Sequence, residues 1–237
     1  STNRMAACAL CVGVGYLADP AHLGGCAHYV EHMAFMGTRE YPEENGWSKF
    51  LSRHGGDSNA ETDAETTVFY FDVHPAHLRA TLRRFGSFFS CPLFKWSGSR
   101  REVQAIHQEF EQAAQNDAVR QWQILSSLVQ CEHPYHRFGW GNKRSLVDEP
   151  KKAALDVRAE LLAFHSRYYS ANLMTGVIIG REPLETLQEW ALDSFGPVAN
   201  RAIERPRVRS DLPPMAPAAL PLIIHVTPLE QSRTLTL

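Results

Sequence analysis

The stretch His28-Tyr29-Val30-Glu31-His32 places two imidazoles and one carboxylate within a single turn of a predicted helix. We predict that helix over 21–36, because glycines precede the stretch and apolar residues followed by Gly37 are typical of a helix end. In such a helix His28 and His32 lie at positions i and i+4, so both side chains project from one face and can bind the same ion. The pair predicts a metal site that still lacks one ligand.

Glu31 has a different predicted role in this motif. A carboxylate directly before His32 is better placed to take a proton from metal-bound water than to bind the metal, so Glu31 is the candidate general base. The order H-x-x-E-H mirrors the commoner H-E-x-x-H and is the signature of inverted zincins. Zinc is favoured because it binds neutral imidazole readily, and its catalytic sites combine three protein ligands with one water. A chance grouping on a solvated helix is the alternative.

The third ligand is expected on a second helix, predicted over 98–130, where the sequence has no proline and many helix-forming residues. Glu102 and Glu109 are seven residues apart and therefore nearly aligned on one face, whereas Glu111 points away. One of the aligned pair is expected to bind the metal while the other orients a ligating histidine. Periodicity alone does not choose between them, and two solvated helix carboxylates are the alternative.

Five ordered blocks resemble the N-terminal catalytic domain of the insulysin, nardilysin and pitrilysin group of inverted-zincin metallopeptidases. The blocks are 24–38, 41–45, 54–60, 138–143 and 164–174. The resemblance implies a zinc endopeptidase that acts on short or unfolded polypeptides, with one Zn2+ ion bound by His28, His32 and Glu109. It also implies that Glu31 is the catalytic base and that Glu102 supports catalysis without binding the zinc itself. A noncatalytic scaffold or binding domain of the same fold is the alternative, which the complete set of motif residues disfavours.

The segment 57–70 is expected to lead into an exposed strand at a sheet edge. Its polar, threonine-rich start suits an edge that is open to a peptide, because the backbone then supplies the hydrogen bonds. The resemblance implies that Asn59 and Ala60 hold the substrate backbone beside the zinc. An ordinary surface turn before a strand is the alternative. The expected partners are therefore peptide substrates bound as an added strand and, from the resemblance, further homologous domains of the same full-length chain.

The order of predicted elements indicates an α+β fold. β-branched and aromatic residues predict strands over 6–14, 66–73, 173–180 and 222–227. Helices are predicted over 21–36, 43–54, 75–90, 98–130, 157–169 and 182–195. Helices packed mainly on one face of a largely antiparallel sheet, a two-layer sandwich, fit this order, and the resemblance implies the same. The prolines of 204–221 predict a loop that leads to the final strand region.

Length and composition are consistent with one catalytic domain over 1–237, because 44% hydrophobic residues can bury a substantial core. With a net charge of −2, the chain does not have the excess of basic residues that is typical of nucleic-acid-binding proteins. No apolar run approaches the roughly 20 residues of a membrane helix. Five cysteines without regular spacing favour reduced thiols. The sequence does not predict the cellular compartment. The abrupt start and the last residues, 234–237, predict that the chain is a piece of a larger protein. We expect the isolated piece to cleave peptides weakly or not at all.

Overall fold

Four strands form one antiparallel sheet in the computed structural model, which describes residues 4–207, 211–215 and 222–229. The strands are β1 (Ala6–Val12), β2 (Asp57–Thr62), β3 (Thr67–Val73) and β4 (Met174–Ile179). Their order in the sheet is β2-β3-β1-β4, and each neighbouring pair is antiparallel. The predicted α+β fold with a largely antiparallel sheet is confirmed.

Strand β1 explains why the helices cover one face of this sheet. Its residues are alternately buried and half-buried, as expected when one face of a strand packs on a core. Leu10 lies opposite Phe69 of β3, and the Phe69 ring packs on Phe89 of a covering helix. On the other face Tyr70 and Val177 are exposed. The predicted two-layer sandwich follows from this alternation.

The described part of the chain contains eight α-helices. They are α1 (Cys26–Ala34), α2 (Gly46–Arg53), α3 (Leu78–Ser90), α4 (Trp96–Ala113), α5 (Asp117–Leu128), α6 (Glu149–Lys152), α7 (Val157–Tyr168) and α8 (Leu184–Phe195). Helix α1 begins at Cys26 rather than at residue 21, because Gly25 has a φ of 88° and cannot belong to the helix. The short helix α6 was not predicted. No helix in the described ranges is both long and apolar enough to span a membrane.

The prediction of one continuous helix over 98–130 is wrong. The chain leaves the helical path after Ala113 and starts α5 at Asp117. Asn116 causes the new start, because its side-chain oxygen accepts hydrogen bonds from the N–H groups of Ala118 and Val119 at 2.9 and 3.3 Å. Asparagine is among the preferred residues at a helix N-cap, so the sequence signal was present and was overlooked.

The strand predicted over 222–227 is also wrong, since the described residues 222–229 are irregular and pair with no strand. Ile223 is 81% exposed, and the backbone oxygen of Thr227 accepts a hydrogen bond from Arg120 of α5 instead. The proline-rich stretch 204–221 is irregular at 204–207 and 211–215, as predicted, while 208–210 and 216–221 lie outside the described residues.

Strand β2 is the edge of the sheet beside the helical layer, and no described strand lies beyond it. The segment 57–70 was expected to lead into an exposed edge strand, but its first residues, 57–62, form the edge strand themselves. The strand predicted over 66–73 is β3, which lies inside the sheet between β2 and β1. The Ser58 hydroxyl accepts a hydrogen bond from Trp47 of α2 at 2.7 Å. Thr62, at the other end of β2, reaches helix α1. The edge strand is thereby fixed next to the helix that carries the H-x-x-E-H motif.

Candidate metal centre

Three side chains that were predicted as metal ligands converge on one point between α1 and α4. The Nε2 atoms of His28 and His32 are 3.2 Å apart. Glu109 on α4 places its Oε2 atom 3.5 Å from His28 Nε2 and 3.4 Å from His32 Nε2. The three ligand atoms therefore form a nearly equilateral triangle. No other group of three potential ligand residues comes this close together in the described chain.

This triangle has the size that a tetrahedral zinc ion requires. Zinc binds imidazole nitrogen and carboxylate oxygen at about 2.0–2.2 Å, which places the ligand atoms of a tetrahedron roughly 3.3–3.6 Å apart. The observed separations of 3.2, 3.4 and 3.5 Å lie in or beside that range. The donor set of two nitrogens and one oxygen leaves a fourth coordination position, as catalytic zinc sites do. The residues present fit the metal.

The other ring nitrogen of each histidine is held by a hydrogen bond. His28 Nδ1 lies 2.6 Å from the backbone oxygen of Trp140, so it carries the proton and donates. His32 Nδ1 lies 3.1 Å from Oε2 of Glu102, which is 19% exposed and seven residues before Glu109 on the same helix. Such contacts fix the tautomer in which Nε2 is free to bind a metal ion. The geometry thus separates the two aligned glutamates, with Glu109 at the ligand point and Glu102 behind His32.

His28, His32 and Glu109 shift one another's pKa values. Burial, together with the neighbouring His32, lowers the pKa of His28 to about 4. Burial also acts to lower the pKa of His32, but hydrogen bonds to Glu102 and Glu109 outweigh it and raise that pKa to about 9. The hydrogen bond to His32 lowers the pKa of Glu109. The contacts with Glu102 and Glu109 thus favour the protonated form of His32, whereas binding of a metal at its Nε2 atom requires that atom to carry no proton.

Glu31 lies in the same helix but is held apart from the ligands. Its side chain is buried, and its Oε2 atom accepts a hydrogen bond from the Thr62 hydroxyl of β2 at 2.5 Å. Burial raises the pKa of Glu31 to about 7, against the opposing effect of the Thr62 hydrogen bond. A carboxylate with a pKa near neutrality is suited to accept and release protons at physiological pH.

An open cleft of about 1080 Å³ gives access to these groups. Its lining includes Asn59 and Ala60 of β2, Glu109 of α4 and Trp122 of α5. The N–H of Ala60 donates a hydrogen bond to the side-chain oxygen of Asn59 at 2.9 Å rather than to another strand. Asn59 and Ala60 therefore line the cleft, and the Ala60 N–H is bonded only within the strand.

Two contacts of the site were missed in the sequence. Thr62 bonds the candidate base, and the Trp140 carbonyl orients His28. Trp140 lies in a block that was noted for its resemblance alone, and a backbone carbonyl leaves no residue-type signal. Thr62 lies two residues beyond the block 54–60, and its role depends on how β2 packs against α1.

Cys26 lies two residues before His28, at the start of α1. It is fully buried, and burial raises the pKa of its thiol well above the usual value. A thiol in this state does not form the reactive thiolate. All five cysteines are free thiols, of which Cys131 is exposed.

Comparison with known proteins identifies the family. The family model described as "Insulinase (Peptidase family M16)" matches residues 1–136, and the model described as "Peptidase M16 inactive domain" matches residues 156–236. Since the first match covers more than half of the chain, the protein belongs to the insulinase family of peptidases, family M16, which are metallopeptidases. The resemblance found in the sequence is thereby confirmed.

Similar proteins include the A-factor-processing enzyme of Saccharomyces cerevisiae, which is 44% identical over 97% of this chain and 22% of its own length. The insulin-degrading enzyme of Homo sapiens is 42% identical over 99% of this chain and 23% of its own length. The crystal structure of pitrilysin superposes with a TM-score of 0.86 at 34% identity, over 91% of this chain and 22% of that chain. The protein spans about a fifth of the length of these relatives.

Proposed function

We propose that this chain is the zinc-binding catalytic domain of an endopeptidase that hydrolyses peptide bonds in short or unfolded polypeptides. The observation that carries the proposal is the triangle of ligand atoms from His28, His32 and Glu109, with sides of 3.2–3.5 Å. Membership of a peptidase family supports the reaction class. Bound zinc at such a site supplies a Lewis acid, which lowers the pKa of a coordinated water to about 7 and polarises a carbonyl group.

The remaining steps belong to side chains of this protein. Glu31 accepts the proton of the attacking water and later passes it to the leaving amine, for which a pKa near neutrality is favourable. Thr62 holds Oε2 of that carboxylate, so we assign the proton transfer to Oε1. Glu102 does not contact the reacting atoms in this scheme. It orients His32 and supports its basicity.

We propose that the peptide binds in extended form along the free edge of β2. The N–H groups of Ser58 and Ala60 are bonded to the side-chain oxygens of Asp57 and Asn59, which a substrate backbone can replace. Addition of a strand to such an edge supplies regular backbone hydrogen bonds and places one carbonyl in register with the metal. Asn59 and Ala60 are the proposed positions of this contact beside the zinc.

We further propose that residues 1–237 work as one unit. Strand β4 lies in the region that matches the second family model, yet it pairs with β1 from the first region along its whole length. Further homologous domains of a full-length chain are proposed partners, since the relatives are about five times as long. The match to the inactive-domain model covers residues 156–236 and contains none of the candidate site residues, which are His28, Glu31, His32, Glu102 and Glu109. This match therefore does not favour a noncatalytic scaffold.

The test is zinc content measured by elemental analysis on the purified 237-residue chain and on four variants. We expect about one zinc per wild-type chain and loss of zinc in His28→Ala, His32→Ala and Glu109→Gln. Glu102→Gln is the matched control, because it removes a charge from the same helix without removing a ligand. It is expected to fill at saturating zinc but with about 10–100-fold lower affinity.

Either of two results contradicts the proposal. The absence of zinc after reconstitution of the wild-type chain excludes the assembled site. Zinc that is retained in all three ligand variants places the metal elsewhere. Activity has to be measured in the full-length protein, where Glu31→Gln is expected to bind zinc normally and to lose hydrolysis.

A further inference from the structure

Asp19 is a buried carboxylate outside the ligand set, and it holds the start of the metal-binding helix. Its Oδ2 atom accepts the N–H of Gly25 at 2.7 Å, and its Oδ1 atom accepts the N–H of Ala27 at 2.8 Å. Helix α1 has no side-chain cap of its own, because Gly25 occupies the N-cap position. Asp19 thus supplies the cap from outside the helix and fixes the backbone directly before His28.

Arg137 connects Asp19 to the segment that orients His28 from the other side. One guanidinium nitrogen, Nη1, donates hydrogen bonds to the backbone oxygens of Asp19 at 2.6 Å and Leu17 at 3.2 Å. Three residues later the carbonyl of Trp140 accepts the hydrogen bond of His28 Nδ1. The position of Arg137 therefore influences where that carbonyl lies.

The two segments also meet directly at two glycines. Gly25 and Gly141 have φ values of 88° and 83°. A Cβ atom on Gly25 would lie 2.3 Å from the Cα atom of Gly141, so the two backbones touch in a way that any side chain would prevent. The start of α1 and the segment around Trp140 are therefore packed backbone against backbone.

We propose that Asp19 and Arg137 are positioning residues, which set the place and orientation of His28 and thereby control metal affinity without contacting the metal. The inference rests on the proposed zinc site. His28 is held at its backbone through Asp19 and at its ring through Trp140, and Arg137 joins the two supports. Ligand geometry that depends on supporting contacts is lost when those contacts relax by even about 0.5 Å.

The test compares Arg137→Met with Arg158→Met in the 237-residue chain. Arg158 is a matched control, because it also donates to two backbone oxygens, those of Phe94 and Leu93 at 2.7 and 3.1 Å, and contacts no site residue. Asp19→Asn is compared with Asp156→Asn, since Asp156 caps α7 through the N–H of Ala159. Zinc affinity is measured by competition with a chromophoric chelator, and the visible absorption of bound Co2+ reports the coordination geometry.

We expect Arg137→Met and Asp19→Asn to lower zinc affinity about 10–100-fold and to alter the Co2+ spectrum, while both controls retain wild-type values. Thermal unfolding is measured in parallel, and Arg137→Lys, which keeps a donor, is expected to recover part of the affinity even where Arg137→Met folds poorly. Unchanged zinc affinity in Arg137→Met and Asp19→Asn overturns this inference and leaves the proposed zinc site standing. Equal losses in Arg158→Met also overturn it. A wild-type chain that takes up no zinc refutes both.

Discussion

The hydrogen bond between Thr62 and Glu31 gives a quantitative prediction for the candidate base. Substitution Thr62→Val removes the hydroxyl that donates to Glu31 Oε2 at 2.5 Å and keeps a similar side-chain volume. A hydrogen bond to a charged group contributes about 1.5–3 kcal/mol, and one pKa unit corresponds to about 1.4 kcal/mol. Since the bond stabilises the charged form, its loss is expected to raise the pKa of Glu31 by about 1–2 units.

The starting pKa of Glu31 is about 7, so about half of this carboxyl is ionised at neutral pH in the metal-free chain. After the substitution only about 1–10% is expected to remain ionised at pH 7. The assay is NMR titration of the glutamate side-chain carboxyl carbons in the metal-free protein, with Glu31→Gln used to assign the signal. Thr62→Ser is the control, because it keeps the hydroxyl and is expected to keep the pKa. A Thr62→Val pKa equal to that of the wild type would refute the reasoning.

Three further predictions concern the remainder of the chain. Asn116→Ala removes the cap of α5 and is expected to lower the free energy of unfolding by about 1 kcal/mol in urea titrations; an unchanged midpoint contradicts the break between α4 and α5. Iodoacetamide is expected to label the exposed Cys131 in the native protein and to leave Cys26 unmodified, as read by mass spectrometry of peptides. Burial lowers the pKa of His165 to about 4, below its unfolded value of about 6.5, so the stability that depends on its neutral form is lost as pH falls through that interval. Up to about 3 kcal/mol is expected to be lost, and His165→Phe should flatten this slope in chemical denaturation at pH 7 and pH 4.

The proposed metal site was predictable from the sequence to the extent that it depends on local spacing. His28 and His32 face the same way because they are four residues apart, and this holds in any helix. Glu102 and Glu109 were correctly seen as aligned, but their distances to the histidines depend on how α4 crosses α1. No periodicity contains that information, and the resemblance to a family supplied the choice between them.

Other features depended on contacts between segments that are distant in the sequence. The strand predicted at 222–227 has apolar, β-branched residues, but a strand needs a partner edge, and these residues contact α5 in the described chain. The Asp19 cap lies outside the helix and therefore outside the usual sequence signature for a helix start. The helix break at Asn116 was different, since a local signal existed and the lack of proline was given too much weight.

The central position of β1 in the sheet has a consequence for how the chain folds. Residues 6–12 are made before both strands that flank them, since one side of β1 pairs with β3 and the other with β4 at 174–179. At a synthesis rate of about 5–20 residues per second, the roughly 100 residues from 73 to 179 take on the order of 5–20 s. During that interval β1 exposes an unpaired edge, a known template for aggregation. Such non-local pairing is typical of slow folding, so the nascent protein is expected to depend on chaperones until β4 has been made.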